Sequence, residues 1–229
     1  MPESAVKVRG RAASTFRGSR REVALPEDSI RAVIFDIGQV IVRVDVPRAA
    51  EALGRPAGLT ARHVLDAVER DARLRDFQEG RLTPREWHAH LAQRFGFPYT
   101  LEEFRTIWNS ALDPTPLLEE SLFADLGRRF RLVLLSNTDP LHVTHMEESF
   151  GFVKHFPARV YSCSVGVSKP HAEIYRKALA GAGASAANVL YVDDVLEYVE
   201  AGRAAGLEAV RFTDREQLLS ELRRRGLLG

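Results

Sequence analysis

The sequence has little cysteine, no long apolar run and almost no net charge. The single cysteine, Cys163, cannot form a disulfide within the chain, which suits a reducing compartment. No apolar run approaches the roughly 18–20 residues that span a bilayer. The 32 basic and 31 acidic side chains nearly cancel, so no strong field attracts nucleic acid or an anionic membrane. These absences predict a cytoplasmic protein that binds neither nucleic acid nor membrane.

The remaining composition is that of a globular enzyme-sized domain. The chain has 229 residues, of which 45% are hydrophobic and 28% are charged, enough to build a sizeable core. Residues 1–28 differ, because basic side chains are frequent there and hydrophobic periodicity is absent. This segment is predicted to be a disordered basic tail, with an arginine-rich targeting peptide as the alternative.

Short apolar runs typical of buried strands alternate with helical patterns from residue 32 onward. The predicted strands are 32–36, 131–135, 188–192 and 208–212. Helix starts are predicted at Asp139-Pro140 and at a capping box of Thr213 with Glu216. Alternating strands and helices of this kind favour an α/β fold with a Rossmann-like parallel sheet.

One long interruption separates the first strand from the second. Residues 46–113 have helical spacing of apolar residues, and capping boxes are predicted at Thr83 with Glu86 and at Thr100 with Glu103. The sequence therefore predicts a core made of residues 29–45 and 114–229, with an all-helical cap domain inserted at 46–113.

Polar residues follow three of the predicted strands at the point where each ends. Asp36 ends the first, Ser136-Asn137-Thr138 ends the second, and Asp193-Asp194 ends the third. The carboxyl ends of parallel strands lie at one edge of the sheet, where open α/β sheets bind ligands. We therefore expect these side chains to meet in one site.

Three acids at one edge repel each other unless a cation neutralises them. Oxygen ligands with open positions suit Mg²⁺, which commonly completes its shell with water and substrate phosphate. With Ser136 as a hydroxyl donor and Lys169 as a fixed positive charge, the site is predicted to bind phosphate, and Asp36 is its natural nucleophile.

Four motifs in this order resemble the haloacid dehalogenase superfamily of aspartate-nucleophile hydrolases. They are FDIGQVIV at 35–42, LLSNT at 134–138, VGVSKPHAEIY at 165–175 and YVDDVLEYVEAGRAAGL at 191–207. The resemblance implies that Asp36 forms an aspartyl-phosphate, and that Ser136, the Asn137 amide and Lys169 hold the phosphoryl group. It also implies Mg²⁺ ligands from Asp36, the Gly38 carbonyl and Asp194, with Asp193 acting through water.

Gly38 departs from the pattern of that superfamily. Most of its phosphatases have a second aspartate there as general acid and base, whereas glycine offers only a carbonyl and a tight turn. Three interpretations stay open. In the first, the substrate is one whose leaving group needs little protonation, such as a sugar 1-phosphate. In the second, a water or a cap residue such as His88 or His90 supplies the proton. In the third, the chain binds a phosphorylated ligand or a protein without catalysis.

The sequence thus predicts a Mg²⁺-dependent phosphomonoester hydrolase that acts on a small phosphorylated metabolite. Sugar phosphates are the first candidates for its substrate. A metal-independent 2-haloacid dehalogenase is the alternative enzyme, which Asp193 and Asp194 argue against because unneutralised acids repel an anionic substrate. In the cap, Trp87, Trp108, Phe95 and Phe104 are predicted to be core residues, and residues 77–80 to line the approach to the site.

Overall fold

A computed structural model describes residues 29–229, so the predicted basic tail, residues 1–28, lies outside the described residues. Within 29–229 the strands are β1 (Ala32–Phe35), β2 (Arg131–Ser136), β3 (Ala158–Tyr161), β4 (Val189–Asp193) and β5 (Glu208–Arg211). The helices are α1 (Val46–Gly54), α2 (Ala61–Glu69), α3 (Ala72–Gln78), α4 (Pro84–Phe95), α5 (Leu101–Asn109), α6 (Glu120–Gly127), α7 (Pro140–Ser149), α8 (Ser162–Val165), α9 (Ala172–Ala182), α10 (Leu196–Ala204) and α11 (Arg215–Arg224).

The five strands form one parallel sheet in the order β3-β2-β1-β4-β5. This confirms the predicted Rossmann-like core, and each of the four predicted strands is present with its ends shifted by at most one residue. The sequence interpretation missed β3 at the edge. From the central β1 the chain continues to β2 and β3 on one side of the sheet and then crosses to β4 and β5 on the other. The topological switch point is therefore between β1 and β4.

Helices cover both faces of the sheet, so alternate strand residues contribute to two hydrophobic clusters. Val33 and Phe35 of β1 pack with residues of α6 and α11, whereas Ala32 and Ile34 pack with residues of α9 and α10. All four of these β1 side chains are fully buried. Because helices bury both faces of the sheet, the edge formed by the carboxyl ends of the strands is where a ligand site can be built.

Helices α1–α5 all lie between β1 and β2 and have a hydrophobic cluster of their own. The chain enters and leaves this cap through a short antiparallel bridge between Val44 and Leu112. Leu141 of α7 joins the cap's cluster, so the cap packs on the core beside the end of β2. The inserted helical cap is thus confirmed, while its exact limits at 46 and 113 stay a prediction.

Helix caps mostly follow the sequence signals. Both predicted capping boxes in the cap, begun by Thr83 and Thr100, are formed, and Asp139 caps α7 through the amides of Leu141 and His142. The predicted box at Thr213 was wrong, because Asp214 caps α11 by accepting from the Gln217 amide. Among the described residues, no helix combines the length and apolar character needed to cross a membrane.

Candidate active site

The three predicted strand ends meet at one edge of the sheet. Asp36 directly follows β1, and its amide donates to the Val192 carbonyl of β4 at 2.9 Å. In the parallel register Phe35 lies beside Leu134 and Val192, which sets Asp36 between the last residues of β2 and β4. The Asp36 side chain is buried, and Ser136 and Asp193 are buried beside it.

Lys169 joins two of these strand ends. Its Nζ donates to Asp36 Oδ1 at 2.8 Å and to Asp193 Oδ2 at 2.6 Å. Burial is the main cause that raises the pKa of Asp36 to about 6; the Lys169 charge opposes this rise, and the Asp193 charge adds to it. Burial alone lowers the pKa of Lys169, but the two carboxylates outweigh it and hold the pKa above its ordinary value. Lys169 is therefore a permanent cation between two buried acids.

The acids outnumber that cation. One carboxylate oxygen each from Asp36, Asp193 and Asp194 lies within 4.8 Å of the others, an arrangement that fits a metal ion. Burial raises the pKa of Asp194, and the nearby Asp193 charge raises it further, which indicates negative charge that Lys169 does not neutralise. Hard oxygen donors in such a cluster are the set that Mg²⁺ prefers.

Asp193 is held by more than Lys169. The Tyr191 hydroxyl donates to Asp193 Oδ2, and the Val195 amide donates to Oδ1 at 2.9 Å. Both of its oxygens thus have protein partners. Tyr191 was missed in the sequence, although residues two apart on a strand share a face and its spacing from Asp193 carried that signal.

Asn137 positions Lys169 through a reciprocal pair of hydrogen bonds. The Lys169 amide donates to Asn137 Oδ1 at 2.7 Å, and Asn137 Nδ2 donates to the Lys169 carbonyl at 3.0 Å. The Tyr198 ring lies 4.9 Å from Lys169 Nζ, a cation–π distance that the sequence interpretation also missed. The Asn137 side chain is therefore engaged with the Lys169 backbone.

The turn after Asp36 does not need a glycine at position 38. The left-handed residue there is Gln39, with φ of 56°, and Gly38 does not have a positive φ. A Cβ built on Gly38 meets only Val44 Cγ2, at an ordinary contact distance of 3.5 Å. The expectation that Gly38 makes the tight turn was therefore wrong, and a side chain fits at this position.

A cavity of about 250 Å³ lies between the cap and this edge of the sheet. Gly38, Ser136 and Asn137 line its core side, while residues of α1, α2, α3 and α5 line its cap side. Gln78 from the predicted 77–80 segment lines it, and so does Trp108. Trp87, Phe95 and Phe104 are core residues as predicted, but Trp108 is only partly buried and faces the cavity.

A buried ion pair on the cavity wall ties the cap to the core. Asp139 Oδ2 accepts from Trp108 Nε1 at 3.0 Å and lies 3.1 Å from His142 Nδ1, while His142 Nε2 lies 3.3 Å from the Trp108 carbonyl. Burial alone raises the pKa of Asp139, but His142 and Trp108 hold it below its usual 3.8. Burial alone lowers the pKa of His142, but Asp139 raises it above its usual 6.5.

This pair makes stability depend on pH. The His142 contribution is complete below pH 6.5 and is lost as the pH rises through the folded-state value, while the Asp139 contribution is lost as the pH falls below 3.8. We expect His142→Gln to lower the free energy of unfolding by about 1.5–3 kcal/mol below pH 6.5, and by less at alkaline pH. Urea unfolding on both sides of pH 6.5 measures this, with the exposed His63→Gln as the control. A His142→Gln deficit that does not change with pH contradicts the prediction.

The other chemically reactive side chains considered in the sequence lie away from the cavity. His88 Nε2 lies 2.8 Å from the Tyr99 carbonyl, and His90 Nε2 lies 2.6 Å from Asp71 Oδ2, so both hold cap elements together. Neither lines the cavity, and the suggestion that they supply a proton loses its basis. Burial raises the pKa of Cys163 to about 11, which leaves it a neutral thiol.

Comparison with known proteins gives concordant matches. A family model described as haloacid dehalogenase-like hydrolase matches residues 30–206. D-ribitol-5-phosphate phosphatase from Bacteroides thetaiotaomicron is 24% identical over 78% of this chain and 90% of its own length. Sesquiterpene phosphatase AstK from Aspergillus oryzae is 24% identical over 85% of this chain and 96% of its own. The crystal structure of a family enzyme from B. thetaiotaomicron, in complex with magnesium and inorganic phosphate, covers 83% of this chain and 99% of its own with a TM-score of 0.74 and 21% identity.

Proposed function

The chain belongs to the haloacid dehalogenase-like hydrolase family, and on that premise we propose that it is a Mg²⁺-dependent phosphomonoesterase acting on a small phosphorylated metabolite. The observation that carries the proposal is the buried triad in which Lys169 bridges Asp36 and Asp193, with Asp194 beside it. Two curated relatives named as phosphatases support it.

In the proposed reaction, an Asp36 carboxylate oxygen attacks phosphorus while the bond from phosphorus to the alcohol oxygen breaks. Water then attacks the aspartyl-phosphate, which releases inorganic phosphate and restores the Asp36 carboxylate. Lys169 holds one Asp36 oxygen and offsets charge as the two anions meet. Ser136 and the Asn137 amide are the donors proposed for the phosphoryl oxygens. The leaving alcohol takes its proton from water, because Gly38 has none to give.

The residues fit a magnesium ion by their chemistry. Asp36 and Asp194 are the side chains proposed to hold it, together with the Gly38 carbonyl, and Asp193 is proposed to act through water. The ion supplies the positive charge that three acids and one lysine leave uncompensated. The cap, over residues 46–113, is proposed to close over the bound substrate and to exclude water from the first step.

The test is phosphate release from p-nitrophenyl phosphate as Mg²⁺ is titrated into metal-free enzyme. We expect release to require Mg²⁺ and to stop on chelation, and we expect Asp194→Asn to raise the half-saturating Mg²⁺ concentration by about 10- to 100-fold. Asp125→Asn, an exposed acid on α6, is the matched control and leaves the titration unchanged. Full activity in chelator, or an unchanged titration for Asp194→Asn, contradicts the metal proposal.

The other functions considered from the sequence have separate signatures. A 2-haloacid dehalogenase releases halide from 2-chloropropionate without metal, and a non-catalytic relative binds phosphate without releasing product. The close packing of Asp36, Asp193 and Asp194 argues against the dehalogenase, because without a metal ion these acids outnumber Lys169 and repel a carboxylate substrate. Product release separates the phosphatase from a non-catalytic relative.

A further inference from the structure

The cavity that adjoins the proposed phosphoryl site has apolar walls. Its core end is lined by Gly38, Ser136 and Asn137, so a phosphoryl group held there directs the remainder of its substrate into this space. The wall beyond that end is made mainly of aliphatic side chains: Val46, Ala49, Leu65, Val68, Leu74 and Met146. They come from α1, α2 and α3 of the cap and from α7 of the core.

Few polar groups in this wall are available to a ligand. Asp139 and His142 pair with each other, and the Trp108 indole N–H donates to Asp139. Glu69 lies at the exposed end of α2, and Gln78 and Thr138 contribute one polar side chain each. A polyol chain loses water from every hydroxyl it buries, and unpaired buried hydroxyls are costly. These walls therefore offer fewer polar side chains than a buried polyol has hydroxyls.

An exposed apolar side chain marks the same cavity. Val46, at the start of α1, is 45% exposed and is among the few large apolar side chains with such exposure in residues 29–229. Pockets that bind small molecules are lined mainly by apolar side chains. A hydrocarbon group bound in the cavity against Val46 removes this surface from water.

From these observations we propose that the substrate is the phosphate monoester of an apolar, hydrocarbon-like alcohol, and not of a sugar or polyol. The proposal rests on the phosphomonoesterase function proposed above and names its substrate class. It replaces the sugar-phosphate preference drawn from Gly38 alone, because the leaving-group argument says nothing about the walls. The volume of about 250 Å³ suits a small hydrocarbon group.

The test compares two primary phosphates with six carbons each, n-hexyl phosphate and a hexitol 6-phosphate, which differ in their hydroxyl groups. We expect kcat/KM to favour hexyl phosphate by roughly 10²-fold, because about three methylene groups enter the apolar cavity. An equal rate, or faster turnover of the hexitol ester, overturns the proposal. p-Nitrophenyl phosphate serves as the common reference. If the enzyme hydrolyses it but shows no preference for hexyl phosphate, only the proposed substrate class is contradicted. If no ester is hydrolysed, the proposed phosphatase function is contradicted as well.

A pair of variants on α2 links the preference to the wall. Val64 and Val68, one helical turn apart, both belong to the cap's hydrophobic cluster, but only Val68 also lines the cavity. Val68→Thr keeps the side-chain shape, adds a hydroxyl and is expected to reduce the hexyl preference by roughly 5-fold or more. Val64→Thr carries the same chemical change at a structural position and is expected to keep the preference. Equal preferences in the two variants contradict the assignment of this wall.

Discussion

Asp36→Asn is expected to release phosphate at least ~10³-fold more slowly than the wild-type protein, the size of loss typical when a nucleophile is removed. The amide has nearly the shape of the carboxylate but lacks the negative oxygen that attacks phosphorus. Its effect on stability is expected to be small, since Lys169 keeps its 2.6 Å partner Asp193 and one buried charge is removed. The loss therefore belongs to chemistry and not to folding.

Two measurements separate these effects. Phosphate release from p-nitrophenyl phosphate gives the rate, and thermal unfolding shows whether the variant is folded. Asp66→Asn, an acid on α2 paired with Arg62 at the surface, is the matched control and keeps the wild-type rate. A phosphorylated form of the wild-type protein, trapped by rapid acid quench and missing from Asp36→Asn, identifies the acceptor. Equal rates for wild type and Asp36→Asn rule out Asp36 as nucleophile.

The positions of the strand-end residues of the site could be predicted because they depend on where the strands end. Asp36, Ser136 and Asp193 each end an apolar run, and a parallel sheet brings such ends to one edge whatever lies between them in the chain. Lys169 ends no predicted strand, so the positions of the strand ends do not by themselves place it at this edge. Its contacts with Asp36 and Asp193 depend on Asn137, whose side chain holds the Lys169 backbone.

The cavity walls could not be predicted in the same way. Periodicity distinguishes the buried side of a helix from the exposed side. It does not show that, of two valines in the cap's cluster, Val68 lines the cavity and Val64 does not. Trp108 and Asp139 are 31 residues apart and belong to different layers, so their hydrogen bond has no local signal. Substrate class depends on these contacts between layers.

Strand β3 was missed for a related reason. Ala158–Tyr161 is a four-residue edge strand that includes an exposed arginine, so it lacks the continuous apolar run of the central strands. Edge strands are covered by fewer neighbours and need less hydrophobicity. The error did not affect the predicted strand-end residues, because Asp36, Ser136 and Asp193 end or follow β1, β2 and β4.

Gly38→Asp is expected to increase kcat for an alkyl phosphate by roughly 10²-fold, at the low end of the 10²- to 10⁴-fold range for positioned acid–base catalysis. The new carboxyl group supplies the proton that an alkoxide leaving group needs. It fits without backbone strain, since Gly38 does not have a positive φ and its Cβ position lies 3.5 Å from Val44 Cγ2. The same substitution is expected to change p-nitrophenyl phosphate turnover much less, because a nitrophenolate leaves without protonation.

The contrast between these two esters is what identifies a general acid. Gly38→Asn has nearly the same shape and no proton to give, so it controls for the volume added beside Asp36. Rates for n-hexyl phosphate and p-nitrophenyl phosphate are measured for both variants at saturating Mg²⁺. A gain confined to the alkyl ester and to the aspartate variant means that proton supply limits the wild-type reaction. Equal changes for both esters, or for both variants, mean that Gly38 is retained for a reason other than proton transfer, such as room for the apolar group of the substrate.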